Sequence, residues 1–106
     1  MLEEMDDNEY LLEMLTAVLD EVPKDIKIMQ QALEVGNFDV VCKTAHKLKS
    51  STGVIQAEKL TALLADIERH GKKTVMSVEL INLVENAAQQ YNQIGKSLQQ
   101  YVTGLK

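Results

Sequence analysis

The residues best equipped for chemistry in this chain are one imidazole and the lysines around it. His46 lies between Lys43, Lys47 and Lys49, within the run Thr44-Ala45-His46-Lys47-Leu48-Lys49-Ser50-Ser51-Thr52-Gly53. A neutral imidazole nitrogen is a nucleophile, and cationic side chains beside it attract an anionic reactant such as a phosphoryl group or an acidic partner pocket. At about 100° per helical residue, Phe38, Val41, Ala45, Leu48, Thr52 and Ile55 gather on one side of a helix over residues 38–55. His46 falls about 130° from the centre of that stripe, with Asp39, Lys43, Ser50 and Gly53 as neighbours on the wheel. The ring therefore points to solvent or to a partner. Ser50 is small and Gly53 has no side chain, so a reactive group on another protein can approach without a clash. A glycine inside a helix costs about 1 kcal/mol relative to alanine, and the gain in access offsets it.

This order of residues resembles the histidine-containing phosphotransfer (HPt) family. Its motif runs histidine, any residue, leucine or isoleucine, lysine, glycine, then small residues and a second glycine before an alanine or leucine. Here it reads His46-Lys47-Leu48-Lys49-Ser50-Ser51-Thr52-Gly53-Val54-Ile55-Gln56-Ala57, with Ser50 in place of the first glycine and Gln56 in place of the second. The resemblance continues upstream through Leu33-Glu34-Val35-Gly36-Asn37-Phe38-Asp39 and downstream through Leu60, Leu63, Leu64, Ile67 and Glu68. It implies a phosphoprotein of a two-component phosphorelay. His46 would accept a phosphoryl group from an aspartate of a receiver domain, in a response regulator or hybrid sensor kinase, and pass it on from phosphohistidine. It further implies a carrier rather than an enzyme, with no ATP site, no metal and no cofactor of its own, the Mg²⁺ residing on the receiver. By the same analogy Lys49 is the expected closest phosphate partner, followed by Lys43 and Lys47. Ser50, which departs from the family's glycine, is expected to donate a hydrogen bond to the phosphoryl oxygens in its own right. Gly53 belongs to the same docking face.

Three other readings compete. A histidine-kinase dimerisation helix also exposes a histidine, but that family usually has an acidic residue next and a proline five residues on, where this chain has Lys47 and Ser51. A plain helical interaction module, with His46 incidental, is the second. A metal site is the third, since Cys42 and His46 are spaced i, i+4; with one cysteine and two histidines in the chain, further ligands would have to be carboxylates. Cys42 reads better as a small buried filler, and His70 as an exposed helix-end residue.

Composition bounds the rest. The 106 residues hold one core and make residues 1–106 a single domain, and few aromatics among many leucines, valines and alanines favour helix packing. The net charge of −5 argues against general nucleic-acid binding. A single cysteine excludes an internal disulfide, and neither an 18-residue apolar run nor a signal-peptide pattern appears. The expectation is a cytoplasmic monomer without membrane contact.

The elements that must position His46 are set by punctuation. Asn8 is a candidate N-cap for a first helix carrying Leu11, Leu15, Val18 and Val22; Pro23 ends it or opens the next. A second helix carries Ile26, Met29 and Leu33, with Gly36 at its C′ position and Asn37 capping the histidine helix. A fourth shows Leu60, Leu63, Leu64 and Ile67 before Arg69-His70-Gly71-Lys72-Lys73, a helix-end signal. The last, from about Ser77 to Val102, spaces Ile81, Val84, Ala88, Tyr91, Gly95, Leu98, Val102 and Leu105 by threes and fours. The fold class is all-α: an up-and-down four-helix bundle core with an additional N-terminal helix.

Overall fold

The computed structural model describes residues 7–105, which form α1 (Asp7–Glu34), α2 (Phe38–Val54), α3 (Glu58–Gly71) and α4 (Val78–Leu105). Each helix packs on the next in chain order and α4 closes back on α1. This is the expected up-and-down bundle. Its core runs through Val22, Met29, Val41, Ala45, Leu48, Leu60, Leu64, Ile67, Leu80 and Ala87, all fully buried.

The separate N-terminal helix is a correction. α1 is continuous through Pro23, so the two segments expected on either side of the proline are one helix. An interior proline forfeits one hydrogen bond and costs about 3 kcal/mol. Val18, Val22, Ile26, Met29 and Leu33 nevertheless lie on one unbroken buried stripe while Pro23 faces solvent. Burying each such side chain is worth about 1.5–3 kcal/mol, so the stripe outweighs the proline. The helix is already under way at Asp7, which removes Asn8 from the capping position.

The same turn joins α1 to α2 and α2 to α3. Gly36 N–H bonds Leu33 C=O at 3.1 Å and Asn37 N–H bonds Ala32 C=O at 2.8 Å; Gln56 N–H bonds Gly53 C=O at 3.0 Å and Ala57 N–H bonds Thr52 C=O at 2.9 Å. Both are Schellman motifs, which need a left-handed residue at C′. Gly36 supplies it at φ 73°, and Gln56 supplies it at φ 58°. Asn37 caps α2 as expected, its Oδ1 accepting from Val40 N–H at 3.3 Å. Ser77 does the same for α4, its Oγ accepting from Leu80 N–H at 3.1 Å.

The expected stripe on α2 is the observed one: Val41, Ala45, Leu48 and Thr52 are buried, and Phe38 and Ile55 half-buried at its ends. The hydroxyls of Thr52 and Thr61 stand 2.7 Å apart and tie α2 to α3, with Ala57 C=O at 2.9 Å from Thr61 Oγ1 and Lys49 C=O at 3.4 Å from Thr52 Oγ1 as further acceptors. In α4 the first turns are phased one residue from expectation. Leu80 and Ala87 face the core, while Ile81 is exposed. The side chain of Leu105 lies outside the described residues.

Candidate functional site

His46 sits in the middle of α2 with its backbone held by the fully buried Ala45 and Leu48 on either side. Its ring is open to solvent, the side chain 71% exposed. Nδ1 lies 3.1 Å from Oε2 of Glu68 on α3, and the other oxygen of that carboxylate, Oε1, lies 2.7 Å from Lys49 Nζ. Lys49 and Glu68 are half-buried, so their ion pair is less open to solvent than a fully exposed surface pair.

The state of Glu68 decides how the ring is protonated. Its carboxyl is held below the usual range chiefly by the hydrogen bond from Lys49, against the opposing effect of burial, with the charges of Lys49, His46 and Lys72 adding. It is a carboxylate at neutral pH and can only accept. The proton in the 3.1 Å contact therefore belongs to Nδ1, and in the neutral ring the lone pair is on Nε2, directed away from Glu68.

The lysines around His46 do not form a free cationic cluster. Lys43 pairs with Asp39 at 3.1 Å on the exposed side of α2. Lys47 crosses to α1, where its Nζ stands 3.3 Å from Oδ1 and 3.2 Å from Oδ2 of the buried Asp25, the hydrogen bond going to Oδ1. Lys49 is on Glu68. Three cations thus meet three carboxylates, and only the Lys49 pair touches the imidazole.

Beside the ring, Cys42, Lys43, His46, Glu68 and Lys72 line a groove of about 390 Å³. Cys42 is half-buried, its Sγ reaching Glu68 C=O at 3.5 Å. Burial pushes its thiol up, with Glu68 adding to the shift and Lys72 opposing it, which favours the neutral thiol over the thiolate. α2 and α3 come this close because Gly71 faces Cys42: a Cβ there would stand 2.7 Å from Sγ. Among the described residues no group of three or more His, Cys, Asp or Glu is disposed to hold a metal ion.

The Hpt domain model matches residues 13–100, most of the chain, with all of α2 and α3 and most of α1 and α4. The chain belongs to the Hpt domain family. Hpt domains are phosphocarriers of two-component phosphorelays and interact with receiver and kinase domains. No curated protein matches the chain, and no solved structure does. Among the described residues no helix is long and apolar enough to cross a membrane.

Within this Hpt domain, His46, Lys49 and Glu68 come together, whereas Lys43 and Lys47 are engaged to either side. Ser50 is exposed one turn beyond His46. Gly53 is exposed too, and a Cβ there would meet open space. It lines a second groove with Gln56, Glu58, Thr61, Ala62 and Ala65. Sequence reasoning had Glu68 only as part of a helical pattern and Lys72 only as part of a helix-end signal, and passed over Asp25. A signal for Glu68 existed: α2 and α3 are antiparallel about a short connection, and counting outward from its ends puts residue 66 opposite residue 46, with Glu68 within one turn of that position. Ile67 takes the core side, which leaves the carboxylate at the edge facing the ring.

Proposed function

We propose that His46 accepts a phosphoryl group on Nε2 from the aspartyl-phosphate of a receiver domain and later surrenders it to another receiver. The observation that carries this reading is the Lys49–Glu68–His46 chain, which leaves Nε2 free, solvent-facing and nucleophilic. The Nε2 lone pair attacks phosphorus, the bond from phosphorus to the aspartyl oxygen breaks, and its electron pair returns to the carboxylate. The ring then carries Nε2–phosphate and Nδ1–H with a positive charge, which the Glu68 carboxylate stabilises. The Nδ1 proton also keeps imidazole a good leaving group for the reverse step. Catalysis of this kind is positioning and charge neutralisation, and the chain's contribution is to fix one nitrogen in place.

Lys49 is the cation best placed to follow the charge. It is within reach of the ring's own partner, and a dianionic phosphoryl group competes with Glu68 for its ammonium. Lys43 and Lys47 contribute less because Asp39 and Asp25, which hold them, make no contact with the ring, whereas the carboxylate that holds Lys49 is the ring's own partner. Ser50, exposed one turn on, can donate to a phosphoryl oxygen, and Gly53 keeps the approach open. The Mg²⁺ would sit on the receiver, and the Hpt domain works as a cytoplasmic monomer between such partners. Mixing the chain with ³²P-labelled phospho-receivers and Mg²⁺ tests this: wild type takes the label and His46→Ala, still helical by circular dichroism, does not. Equal labelling of both proteins, or of neither, contradicts it.

A further inference from the structure

We infer that the connection between α3 and α4, through Lys73, Val75 and Met76, is a second contact surface for the receiver that reaches His46, and that it selects among receivers. This rests on the phosphotransfer reading and adds the surface that determines the partner. Val75 is 64% exposed, Met76 43%, Val78 72% and Ile81 44%, four apolar side chains turned to solvent within seven residues. Scattered surface hydrophobics are ordinary, but contiguous ones mark contact sites.

Position makes the receiver the occupant. The groove beside His46 ends at Lys72, about 6 Å along the helix axis from Glu68. A partner with a standard footprint of about 800 Å², roughly a disc of 16 Å radius, cannot bring an aspartate onto Nε2 without also covering the elements beside the groove. The start of this connection lies inside that radius.

Charge points the same way. The ion pairs among the described residues engage Lys43, Lys47 and Lys49 but neither Lys72 nor Lys73. Both are exposed, and no acidic residue follows until Glu79. In a chain of net charge −5, Lys72 and Lys73 therefore place exposed positive charge outside any of these ion pairs at the end of the His46 groove, which a receiver presenting carboxylates there would complement. The backbone also holds this shape at a cost. Thr74, a β-branched residue, sits at φ 53°, fixed by Lys73 N–H to His70 C=O and Thr74 N–H to Gly71 C=O, both at 3.1 Å.

The test compares wild type, Lys73→Glu and the double variant Val75→Ser/Met76→Ser, with a panel of phosphorylated receivers as donors and with phosphoramidate as a small donor that needs no docking. For a receiver that labels wild type, the double variant raises the half-saturating concentration about tenfold and leaves the saturating rate within about twofold. Lys73→Glu raises it about threefold and weakens its salt dependence. Phosphoramidate labels all three proteins alike. An unchanged half-saturating concentration overturns the inference, as does a parallel loss with phosphoramidate, which would mean the variants act through the fold. A wild-type dimer in sedimentation that the double variant abolishes would assign the surface to a second copy instead. Wild type refusing label from every receiver removes the phosphotransfer reading itself, and this inference with it.

Discussion

Replacing Gln56 by glycine should make the protein more stable. Gln56 occupies the left-handed C′ position of the α2–α3 turn at φ 58°, whereas the equivalent position of the α1–α2 turn is Gly36 at φ 73°. A non-glycine L-residue pays about 1–2 kcal/mol in that region. Glycine returns part of this, about 0.4–1 kcal/mol, through the greater freedom of the unfolded chain. Gln56 is exposed and little packing is lost, so the net gain is about 1 kcal/mol, or a melting temperature higher by about 4–8 °C. The mirror change, Gly36→Gln, costs a similar amount, and since a Cβ there meets open space the cost is conformational and not steric. The two sites lie at opposite ends of α2, so the double variant should return to within about 0.5 kcal/mol of wild type. Urea unfolding followed by circular dichroism measures all three differences, with unchanged m-values as the check that only stability moved. A neutral or destabilising Gln56→Gly would refute the reasoning.

Three further outcomes follow from the same geometry. Lys47→Ala leaves the buried Asp25 carboxylate without its cation and should lower unfolding free energy by about 2–4 kcal/mol, while phosphate acceptance at His46 stays within a few-fold of wild type; a large loss of acceptance in a folded variant would instead put Lys47 on the phosphate. Gly71→Ala drives a Cβ against Cys42 Sγ and should destabilise by about 1–3 kcal/mol, and adding Cys42→Ala should recover most of it in a double-mutant cycle, whereas additive losses would deny the contact. Glu68 is held below its ordinary range in the folded protein, so it stabilises the fold above the unfolded carboxylate value of about 4.3 and this contribution disappears as pH falls through the lower native value; urea midpoints from pH 7 to pH 3 should fall less steeply in acid for Glu68→Gln, and parallel curves would contradict the assignment.

The part of the fold that was legible in the sequence is the part written as periodicity and caps. The stripe of α2, the exposure of His46, the cap at Asn37 and the glycine end of α1 all follow from local rules that the tertiary structure obeys. Pro23 was misleading because its penalty is local, while the stripe from Val18 to Leu33 that overrides it gains its energy from α2 and α4. Ile81 was misleading because α4 has apolar residues in two phases, and only packing against α3 and α1 selects Leu80. Of the candidate site, the exposed histidine was plain and its partners were not. Lysines adjacent in sequence look like one cluster, yet at 100° per residue they diverge, and Asp25, Asp39 and Glu68 reach them from three different directions. Glu68 was the decisive residue, and it became visible only when α3 was laid antiparallel on α2.

The proposed phosphotransfer assigns the phosphate to one ring nitrogen of His46. Long-range ¹H–¹⁵N correlation of the histidine rings, recorded on ¹⁵N-labelled protein before and after phosphorylation by a receiver, reads this directly. The prediction is phosphorus on Nε2 of His46, with Nδ1 carrying its proton in both states and losing that preference in Glu68→Ala. Phosphorus on Nδ1, or on a residue other than His46, would contradict the role assigned to Glu68 and to the geometry around it.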